Sequence, residues 1–442
     1  MNKKPLIITI RGIRKTSHLT NKVVKKSSHF LDKVERRTSR ILINKTGSSD
    51  GTESIGVNDV VFHAIQEITP IYPALPKIGQ KPSVTVFAFL DPRGFYGGIA
   101  TLLCVAASLA NKLGYDLRVA QTTNFSASND VLDFLNSKGI TIEKERFSTI
   151  NLSRRSPSNF GYLPLHQDDV LVVSTWWDAH IAAQLPLRKK FLYLIQDYEP
   201  IFYNNSDKSV LAEQTYLTEK FIPFLNTEIL YKYFVKKNYE YIKKTGIWFE
   251  PAPGIVTKHP VKNKKSDTKT LFLYGRPNVD RNLFISAIKA LDLAFQDEAM
   301  TRDRWKLFSA GTTGVPSIKL TSGHVIKNLG KMDIGDYYNF AESVDLALSP
   351  MLAPHPNYPT LEFASLGAMV VSTKWETKQN LDFYSPNILM AEPTAESMAN
   401  KIIEASRTSS LQKIKNQKSN HINSEWPEAL EEPISRVADF YK

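Results

Sequence analysis

The chain has 442 residues and carries 56 Lys and Arg against 44 Asp and Glu, a formal net charge of +12. With 42% hydrophobic and 23% charged residues it has the composition of a globular protein with two or three domains, so global disorder is excluded. The single cysteine, Cys104, excludes an intrachain disulfide and favours a reducing compartment. Because no apolar run approaches the roughly 18 to 20 residues of a spanning helix, we expect a cytoplasmic protein.

The positive charge is concentrated at the front of the chain. Residues 1–40 contain twelve Lys or Arg and two acidic residues, a net charge of +10. Apolar residues recur at seven-residue spacing between residues 19 and 42, which predicts a basic amphipathic helix, and residues 47–51 predict a flexible break. Such a helix could lie on the inner face of the plasma membrane, pack on its own protein or a partner subunit, or bind nucleic acid non-specifically.

The rest of the chain alternates strand and helix patterns. Residues 68–82, with four prolines, predict an extended segment. Strands are then predicted at 84–90, 117–121, 170–174 and 191–195, with a helix directly after the first. Residues 256–270 contain five lysines and no strong period, which predicts a linker. Beyond it we predict strands at 271–274, 306–309, 324–327, 345–349 and 369–372, and helices at 282–295 and 360–367.

This alternation predicts two α/β halves, each with a parallel sheet covered on both faces, and a cleft between them. The predicted organisation is a basic segment at 1–50, a first domain at 51–255, a linker at 256–270 and a second domain at 271–442, whose last helix could cross back. Ligands are expected at the carboxyl ends of the strands.

Three clusters at such strand ends could carry chemistry. Gly97 and Gly98 begin the first helix, where backbone amides favour a diphosphate; the alternative is a tight turn. Arg276 and Arg281 follow the first strand of the second half and suit bidentate phosphate contact, unless they are solvated loop residues. Glu362 is predicted in the first turn of a helix capped by Thr360, either favoured there by the helix dipole or aimed into the cleft.

The order of these motifs, strand-Gly-Gly-helix, Gly-Arg-x4-Arg and Pro-x-Leu-Glu-x4-Gly-Ala, resembles family-4 retaining glycosyltransferases with the GT-B fold, over about residues 80 to 440. The sequences at 97–101 and 196–203 are similar to the rhamnosyltransferase subgroup that includes WsaF, of S-layer glycan synthesis. The resemblance implies two Rossmann-like domains, an N-terminal acceptor domain and a C-terminal donor domain.

Site residues carry over by motif position. Arg276 matches the family arginine at the diphosphate, Arg281 stands where most relatives have lysine, and Glu362 matches the second glutamate of a Glu-x7-Glu motif, which holds the nucleotide ribose. Donor binding is expected from Gly97, Gly98, Gly275, Arg276, Arg281, Gly330, Lys331, Met332, His355, Tyr358, Thr360, Leu361 and Glu362. Thr360 and Leu361 would donate their backbone amides to the phosphate. Acceptor binding is expected from Trp177, Asp178, Asp197 and Glu199, and the catalytic set from Arg276, Arg281 and Asp178.

Two departures from the family pattern stand out. Pro354 replaces the first glutamate of the motif, and His355 or Asn357 could take over part of its work. The first-domain strand end is also changed. The alternative to an acceptor role there is two core tryptophans, Trp176 and Trp177, and a helix-capping aspartate, Asp178. Glu199, before Pro200, could simply shape a turn.

The sequence contains no Asp-x-Asp pair, no His-x-His pattern and one cysteine, so we predict no metal and no cofactor. The resemblance implies transfer of a sugar, rhamnose from dTDP-rhamnose in the first instance, to a glycan or lipid-linked oligosaccharide. The alternatives are a GDP- or UDP-linked sugar, a non-catalytic sugar-binding protein, or a nucleic-acid-binding protein with a basic arm.

Overall fold

The computed structural model describes residues 56–90, 95–123, 130–156, 161–253, 268–302 and 304–442. The predicted basic segment at 1–50 and residues 256–267 of the predicted linker lie outside these ranges. The chain divides into two units, the first ending at Gln66 and the second running from Glu67 to Lys442. The described part of the first unit holds helix α1 (Val57–Ala64), which has no buried residue.

The second unit contains two large sheets, the first of them wholly parallel. Within the described residues its strand order is β4-β3-β2-β6-β7-β8-β9. The bounds are β2 (Ser83–Ala88), β3 (Asp116–Gln121), β4 (Phe147–Asn151), β6 (Val170–Val173), β7 (Phe191–Ile195), β8 (Phe221–Asn226) and β9 (Ile247–Phe249). Two short strands, β1 (Ile71–Ala74) and β5 (Gly161–Pro164), form a separate parallel pair.

Helices cover the first sheet, and β2 between them is buried along its whole length. This burial on both faces explains why the strand reads as a continuous apolar run rather than an alternating one. The helices are α2 (Gly97–Leu113), α3 (Val131–Ser137), α4 (Trp176–Ala182), α5 (Asp207–Gln214), α6 (Glu228–Lys236) and α7 (Glu240–Thr245).

The second sheet has the order β12-β13-β11-β10-β14-β15-β16 within the described residues. All its pairs are parallel except β12 with β13. Its strands are β10 (Thr268–Tyr274), β11 (Arg304–Ala310), β12 (Ile318–Lys319), β13 (Val325–Asn328), β14 (Leu346–Leu348), β15 (Met369–Thr373) and β16 (Ile388–Ala391). Its helices are α8 (Phe284–Ala294), α9 (Glu298–Arg302), α10 (Ile334–Ala341), α11 (Tyr358–Ser365), α12 (Ala395–Ser406) and α13 (Ser410–Gln417).

The last helix, α14 (Trp426–Asp439), packs on the first sheet rather than the second. Trp426, Leu430, Ile434 and Val437 are buried in the core that α2 and β2 form. The chain therefore crosses between the two sheets twice, which ties the second domain to the first at both of its ends. No helix in the described part of the chain has the length and apolar content needed to cross a membrane.

Several strand ends differ from the predictions by one to three residues, and three boundary differences bear on the site. β10 begins at Thr268, so the last three residues of the predicted linker are strand. A 3-10 turn at Asp280–Asn282 precedes α8, which begins at Phe284. α11 begins at Tyr358 and not at residue 360, because Pro359 fits the first turn of a helix, where its missing N–H costs no hydrogen bond.

Candidate functional site

Arg281 lies between the two domains. Its guanidinium carbon is 3.8 Å from the centroid of the Phe202 ring, and its Nε is 3.8 Å from Oδ2 of Asp197. Burial lowers the pKa of Arg281, with Asp197 opposing that shift and Arg276 adding to it. Nε is buried and has no hydrogen-bond partner among the described residues. The side chain is therefore oriented by the first domain, and one donor is left for another group.

Arg276 follows β10 beside a tight glycine turn. A Cβ on Gly311, whose φ is +126°, would come within 2.9 Å of Cγ of Arg276. Gly311 is thus required both by its backbone conformation and by the space that Arg276 occupies. The Arg276 guanidinium lies 3.5 Å from the Tyr274 hydroxyl at Nη1. The two arginines influence each other electrostatically, so they share one region of the cleft.

The helix start at Gly97 faces the second domain. Gly97 has φ +44°, and its neighbour across the cleft is the ring of Tyr358. The Tyr358 hydroxyl lies 2.6 Å from Oγ1 of Thr101 and accepts a hydrogen bond from Nδ2 of Asn226 at 2.9 Å. α2, β8 and α11 therefore meet at one point. Amides in the first turn of a helix lack intrahelical acceptors, so this point presents donors to the cleft.

Gln196 supports the same region from β7. Its Nε2 donates to the carbonyl of Gly98 at 2.9 Å and to Oγ of Ser174 at 2.7 Å. A Cβ on Gly98 would meet Nε2 at 3.2 Å, so the residue beside Gln196 must be small. The sequence analysis assigned no role to Gln196; its position after a predicted strand was the available signal.

His355 is a buried neutral donor. It is 5% exposed, and its Nδ1 accepts a hydrogen bond from the Asn357 amide at 3.0 Å. Burial, and then Lys378 and Arg281, lower its pKa to about 3. The neutral ring therefore carries its proton on Nε2, which is buried without a partner among the described residues.

Glu362 lies in a pocket lined by tyrosines. Oε2 accepts a hydrogen bond from the Tyr337 hydroxyl at 2.8 Å. Burial raises the pKa of Glu362 to about 7, and the Tyr337 hydrogen bond opposes that shift. α11 places Glu362 beyond its first turn, so the predicted position in the first turn is wrong.

The predicted roles of Thr360 and Leu361 at the helix start need correction. Asn357, with φ +73°, precedes α11, and Thr360 is not its cap. The Thr360 amide donates to the Asn357 carbonyl at 3.0 Å, and the Leu361 amide at 3.4 Å. Both amides therefore already have an acceptor within the helix, and neither is available to a phosphate in this structure.

Residues 330–332 border the same pocket from β13. Gly330 has φ +73° and its amide donates to Oδ1 of Asn328. The Lys331 ammonium lies 5.5 Å from the centroid of the Tyr96 ring in the first domain. Met332 packs with the core beside α10. Their role in donor binding stays a prediction.

Three of the residues predicted to bind the acceptor, Asp178, Asp197 and Glu199, are buried and acidic. Thr175 caps α4: its Oγ1 accepts from the Asp178 amide and donates to Oδ2 of Asp178 at 2.8 Å. The aspartate is thus the cap's partner and not the cap itself. Burial raises the pKa of Asp178, and its opposing contacts are Thr175, Thr122 and Arg155. Asp178 acts electrostatically on Glu199, and Glu199 in turn acts on Arg281.

Glu199 and Asp197 carry the largest shifts of that group. The Trp176 amide donates to Oε2 of Glu199 at 2.5 Å, and Glu199 also begins a 3-10 turn with Pro200. Burial raises the pKa of Glu199 to about 8, and the pKa of Asp197 to about 6. Trp176, not Trp177, fills the core, whereas Trp177 is half-buried. Glu199 thus both shapes a turn and contributes a protonated carboxyl near neutral pH.

Lys378 was missed by the sequence analysis. Its side chain is fully buried, and Nζ donates to the Met351 carbonyl at 2.8 Å. Burial lowers its pKa to about 7. The available signal was a lysine shortly after the predicted strand 369–372. Among the described residues, no group of three or more His, Cys, Asp or Glu is placed to hold a metal ion.

Comparison with known proteins gives two family matches. Residues 86–228 match the family model described as WsaF, N-terminal domain, and residues 269–403 match WsaF, C-terminal domain. The O-antigen biosynthesis protein RfbC of Myxococcus xanthus is 30% identical over 251 residues, which are 57% of this chain and 19% of that protein. The chain thus spans about one fifth of the length of this curated relative.

Solved structures give the fold. WaaG, a glycosyltransferase involved in lipopolysaccharide biosynthesis, has a TM-score of 0.54 at 13% identity, covering 81% of this chain and 100% of that one. S. aureus TarM has a TM-score of 0.56 at 9% identity, covering 82% and 100%. Sucrose-phosphate synthase from Thermosynechococcus elongatus has 0.54 at 12% identity, covering 81% and 98%. The predicted GT-B fold, two Rossmann-like domains facing across a cleft, is confirmed.

Proposed function

Because the chain belongs to the WsaF family of glycosyltransferases, we propose that it transfers a sugar from a nucleotide-diphosphate donor to a glycan or lipid-linked acceptor of a cell-surface polysaccharide. The observation that carries the proposal is the convergence of Arg276, Arg281 and the unpartnered Nε2 of His355 on one region of the cleft. The relationship to an O-antigen biosynthesis protein supports the polysaccharide acceptor.

The site would act on the charge that develops as the donor breaks. When the bond between the sugar and the diphosphate lengthens, the sugar gains oxocarbenium character and the phosphate oxygens gain negative charge. Arg276 and Arg281 would stabilise those oxygens more in the transition state than in the ground state. Loss of one such contact is expected to raise the barrier by about 3 kcal/mol.

We infer retention of the anomeric configuration through attack on the face that the diphosphate leaves. The acceptor oxygen bonds to the anomeric carbon, the bond from that carbon to the diphosphate breaks, and the acceptor proton passes to the departing phosphate oxygen. Asp178 is hydrogen-bonded to Thr175, and its electrostatic effect falls on Glu199. We therefore assign Asp178 to acceptor binding and not to a covalent intermediate. Trp177, Asp197 and Glu199 would line the same side.

The donor that fits best is a thymidine nucleotide, and with the family resemblance dTDP-rhamnose. The Tyr337 hydroxyl already donates to one oxygen of Glu362. This arrangement suits a deoxyribose, which presents a 3′-hydroxyl and no 2′-hydroxyl. The second candidate is the same reaction with a UDP- or GDP-linked sugar, in which Glu362 would hold both hydroxyls.

A panel of nucleotide sugars tests the proposal. The full chain is incubated with dTDP-rhamnose and with UDP- and GDP-linked hexoses, and release of the nucleoside diphosphate is followed with and without glycan acceptors. We expect turnover with dTDP-rhamnose. By NMR, the glycosidic bond of the product should have the same anomeric configuration as the bond in the donor. No turnover with any member would overturn the proposal, and an inverted product would overturn the retaining mechanism.

A further inference from the structure

Lys378 is a buried cation that the mechanism above does not use. Its side chain is 0% exposed, and its one hydrogen bond is to the Met351 carbonyl. Moving an ammonium group out of water is costly unless charges or hydrogen bonds compensate. One neutral carbonyl oxygen leaves two of its three N–H groups to be satisfied by something else.

The charges around Lys378 come from both domains. Asp197 is the carboxylate that acts on it, and no carboxylate among the described residues forms an ion pair with it. On the other side, Nζ of Lys378 donates to the Met351 carbonyl, and the amide of the next residue, Leu352, donates to the Arg281 carbonyl at 2.8 Å. Lys378 and Arg281 are thus joined through one loop, and both lower the pKa of His355. Asp197 also faces Arg281, whereas Glu199 beside it has its pKa raised to about 8 by burial and is protonated at neutral pH. One ionised carboxylate therefore lies near the two basic side chains.

The unused donors here point to an anion. Nε2 of His355 and Nε of Arg281 are both buried and lack a hydrogen-bond partner among the described residues. A cluster that pairs an excess of positive charge with two unpartnered donors matches the chemistry of a phosphate group. Pro354 contributes no carboxylate that would compete for that charge.

The turn that carries Lys378 is fixed by the first domain. Trp375 and Lys378 pair across the turn, and Oγ1 of Thr377 donates to the Ile229 carbonyl at 3.1 Å. Glu376 forms an ion pair with Lys236 at 2.7 Å, and the Trp375 ring is 5.3 Å from that of Tyr233. All these first-domain residues belong to α6, so the position of Lys378 depends on contact between the two domains.

We propose that Lys378 is a third cation of the donor site, which binds the diphosphate of the nucleotide together with Arg281 and His355. This rests on the proposed function. Since α6 holds the turn, this cation completes the diphosphate site when the two domains are in contact.

Binding of nucleotides to the full chain tests the proposal by calorimetry. We expect Lys378→Met to weaken dTDP and UDP by about tenfold or more, and to leave thymidine and uridine unchanged within twofold. Lys374→Met is the matched control, because Lys374 pairs with Glu392 at 2.8 Å on the surface, and it should bind all four ligands as the wild type does. Equal diphosphate affinity in the Lys378→Met and wild-type chains, with intact thermal midpoints, overturns the inference.

A pH series gives a second measurement that does not depend on the stability of Lys378→Met. The groups that face Lys378 are Asp197, Arg281 and His355. Because Glu199 acts on Asp197 and titrates in the same pH range, the series is measured in a chain that carries Glu199→Gln. As the pH rises from 7 to 9, free Lys378 loses its proton, so dTDP affinity should fall severalfold while thymidine affinity stays level. A flat dTDP profile contradicts the inference. Absence of nucleotide binding by the wild type would instead count against the proposed function itself.

Discussion

The Tyr337 hydroxyl donates a hydrogen bond to one carboxylate oxygen of Glu362, and both residues are half-buried in the second domain. A carboxylate can accept from two neighbouring hydroxyls through its two oxygens. With one oxygen engaged, the pocket favours a sugar ring that offers one hydroxyl. Tyr337 is thus a candidate determinant of the choice between deoxyribose and ribose in the donor.

Replacement of Tyr337 by Phe should relax that choice. The change removes one hydroxyl and frees Oε2 of Glu362 for a 2′-hydroxyl. We expect the ratio of kcat/KM for dTDP-linked over UDP-linked donor to fall about tenfold, the equivalent of roughly 1.4 kcal/mol. Steady-state kinetics with both donors measure this ratio. If the ratio is unchanged while Glu362→Ala abolishes turnover, Tyr337 does not set the choice.

The raised pKa of Glu199 predicts how the stability of the folded chain depends on pH. Burial raises its pKa from the ordinary value near 4.5 to about 8, so between these values the folded chain keeps a proton that the unfolded chain has released. Stability from this group is therefore greatest below pH 4.5 and falls as the pH rises toward 8. Asp197 and Glu362 contribute in the same direction over narrower ranges.

Glu199→Gln isolates that contribution. The amide oxygen can still accept the Trp176 N–H, but nothing titrates at this position. We expect the thermal midpoint of the variant, relative to the wild type, to rise steadily between pH 5 and pH 8. Midpoints measured by calorimetry at half-unit steps check this. Parallel curves for the two proteins over that range would contradict a raised pKa at Glu199.

At the scale of elements, the start of α11 combines strain and function. Asn357 has φ +73° and ψ 122°, a conformation that L residues rarely adopt, and Nδ2 donates to Oγ of Ser349 at 2.8 Å. Thr227, before α6, has φ +93°. Two strand-to-helix turns that face each other across the cleft are thus strained, and such strain concentrates at functional sites.

Two substitutions at Asn357 separate strain from hydrogen bonding. Asn357→Gly and Asn357→Ala both lose the contact to Ser349, but Gly tolerates positive φ and Ala does not. We expect Ala to be less stable than Gly by about 1–2 kcal/mol. Urea denaturation measures the difference. Equal stability of the two variants would show that the backbone there relaxes without cost.

Elements also show what the sequence could and could not predict. β7 was predicted with its observed bounds, Phe191–Ile195, because a strand buried on both faces reads as an apolar run. The start of α11 was misplaced because a strained Asn357 leaves no propensity signal. β8 and Lys378 were not predicted, since a buried lysine and a strand containing Pro223 contradict local patterns and depend on tertiary contacts.

At the scale of the whole molecule, the charge is divided unevenly. Residues 1–40 account for +10 of the net +12, so residues 41–442 carry only +2. The residues proposed to carry the reaction lie between Gly97 and Lys378, outside that segment. We therefore expect the basic segment to affect where the protein is held rather than the reaction itself.

Deletion of residues 1–50 should separate these two properties. We expect the shortened chain to transfer to a free oligosaccharide at the wild-type rate within about twofold, and to lose retention on vesicles containing anionic lipid, at about 1 kcal/mol per basic residue near the surface. Neutralising Lys22, Lys25 and Lys26 should weaken retention in part. Unchanged sedimentation of the shortened chain with vesicles would show that the segment does not hold the protein on the membrane.

The most direct test of the account is the kcat/KM for the nucleotide-sugar donor in Arg276→Ala and Glu362→Ala, with Lys374→Met as the control. The proposed cleft predicts losses of about a hundredfold or more for Arg276→Ala, since a contact made mainly in the transition state is removed, and at least tenfold for Glu362→Ala. The control should match the wild type. If both variants turned over the donor at the wild-type rate, the reaction would not take place in this cleft.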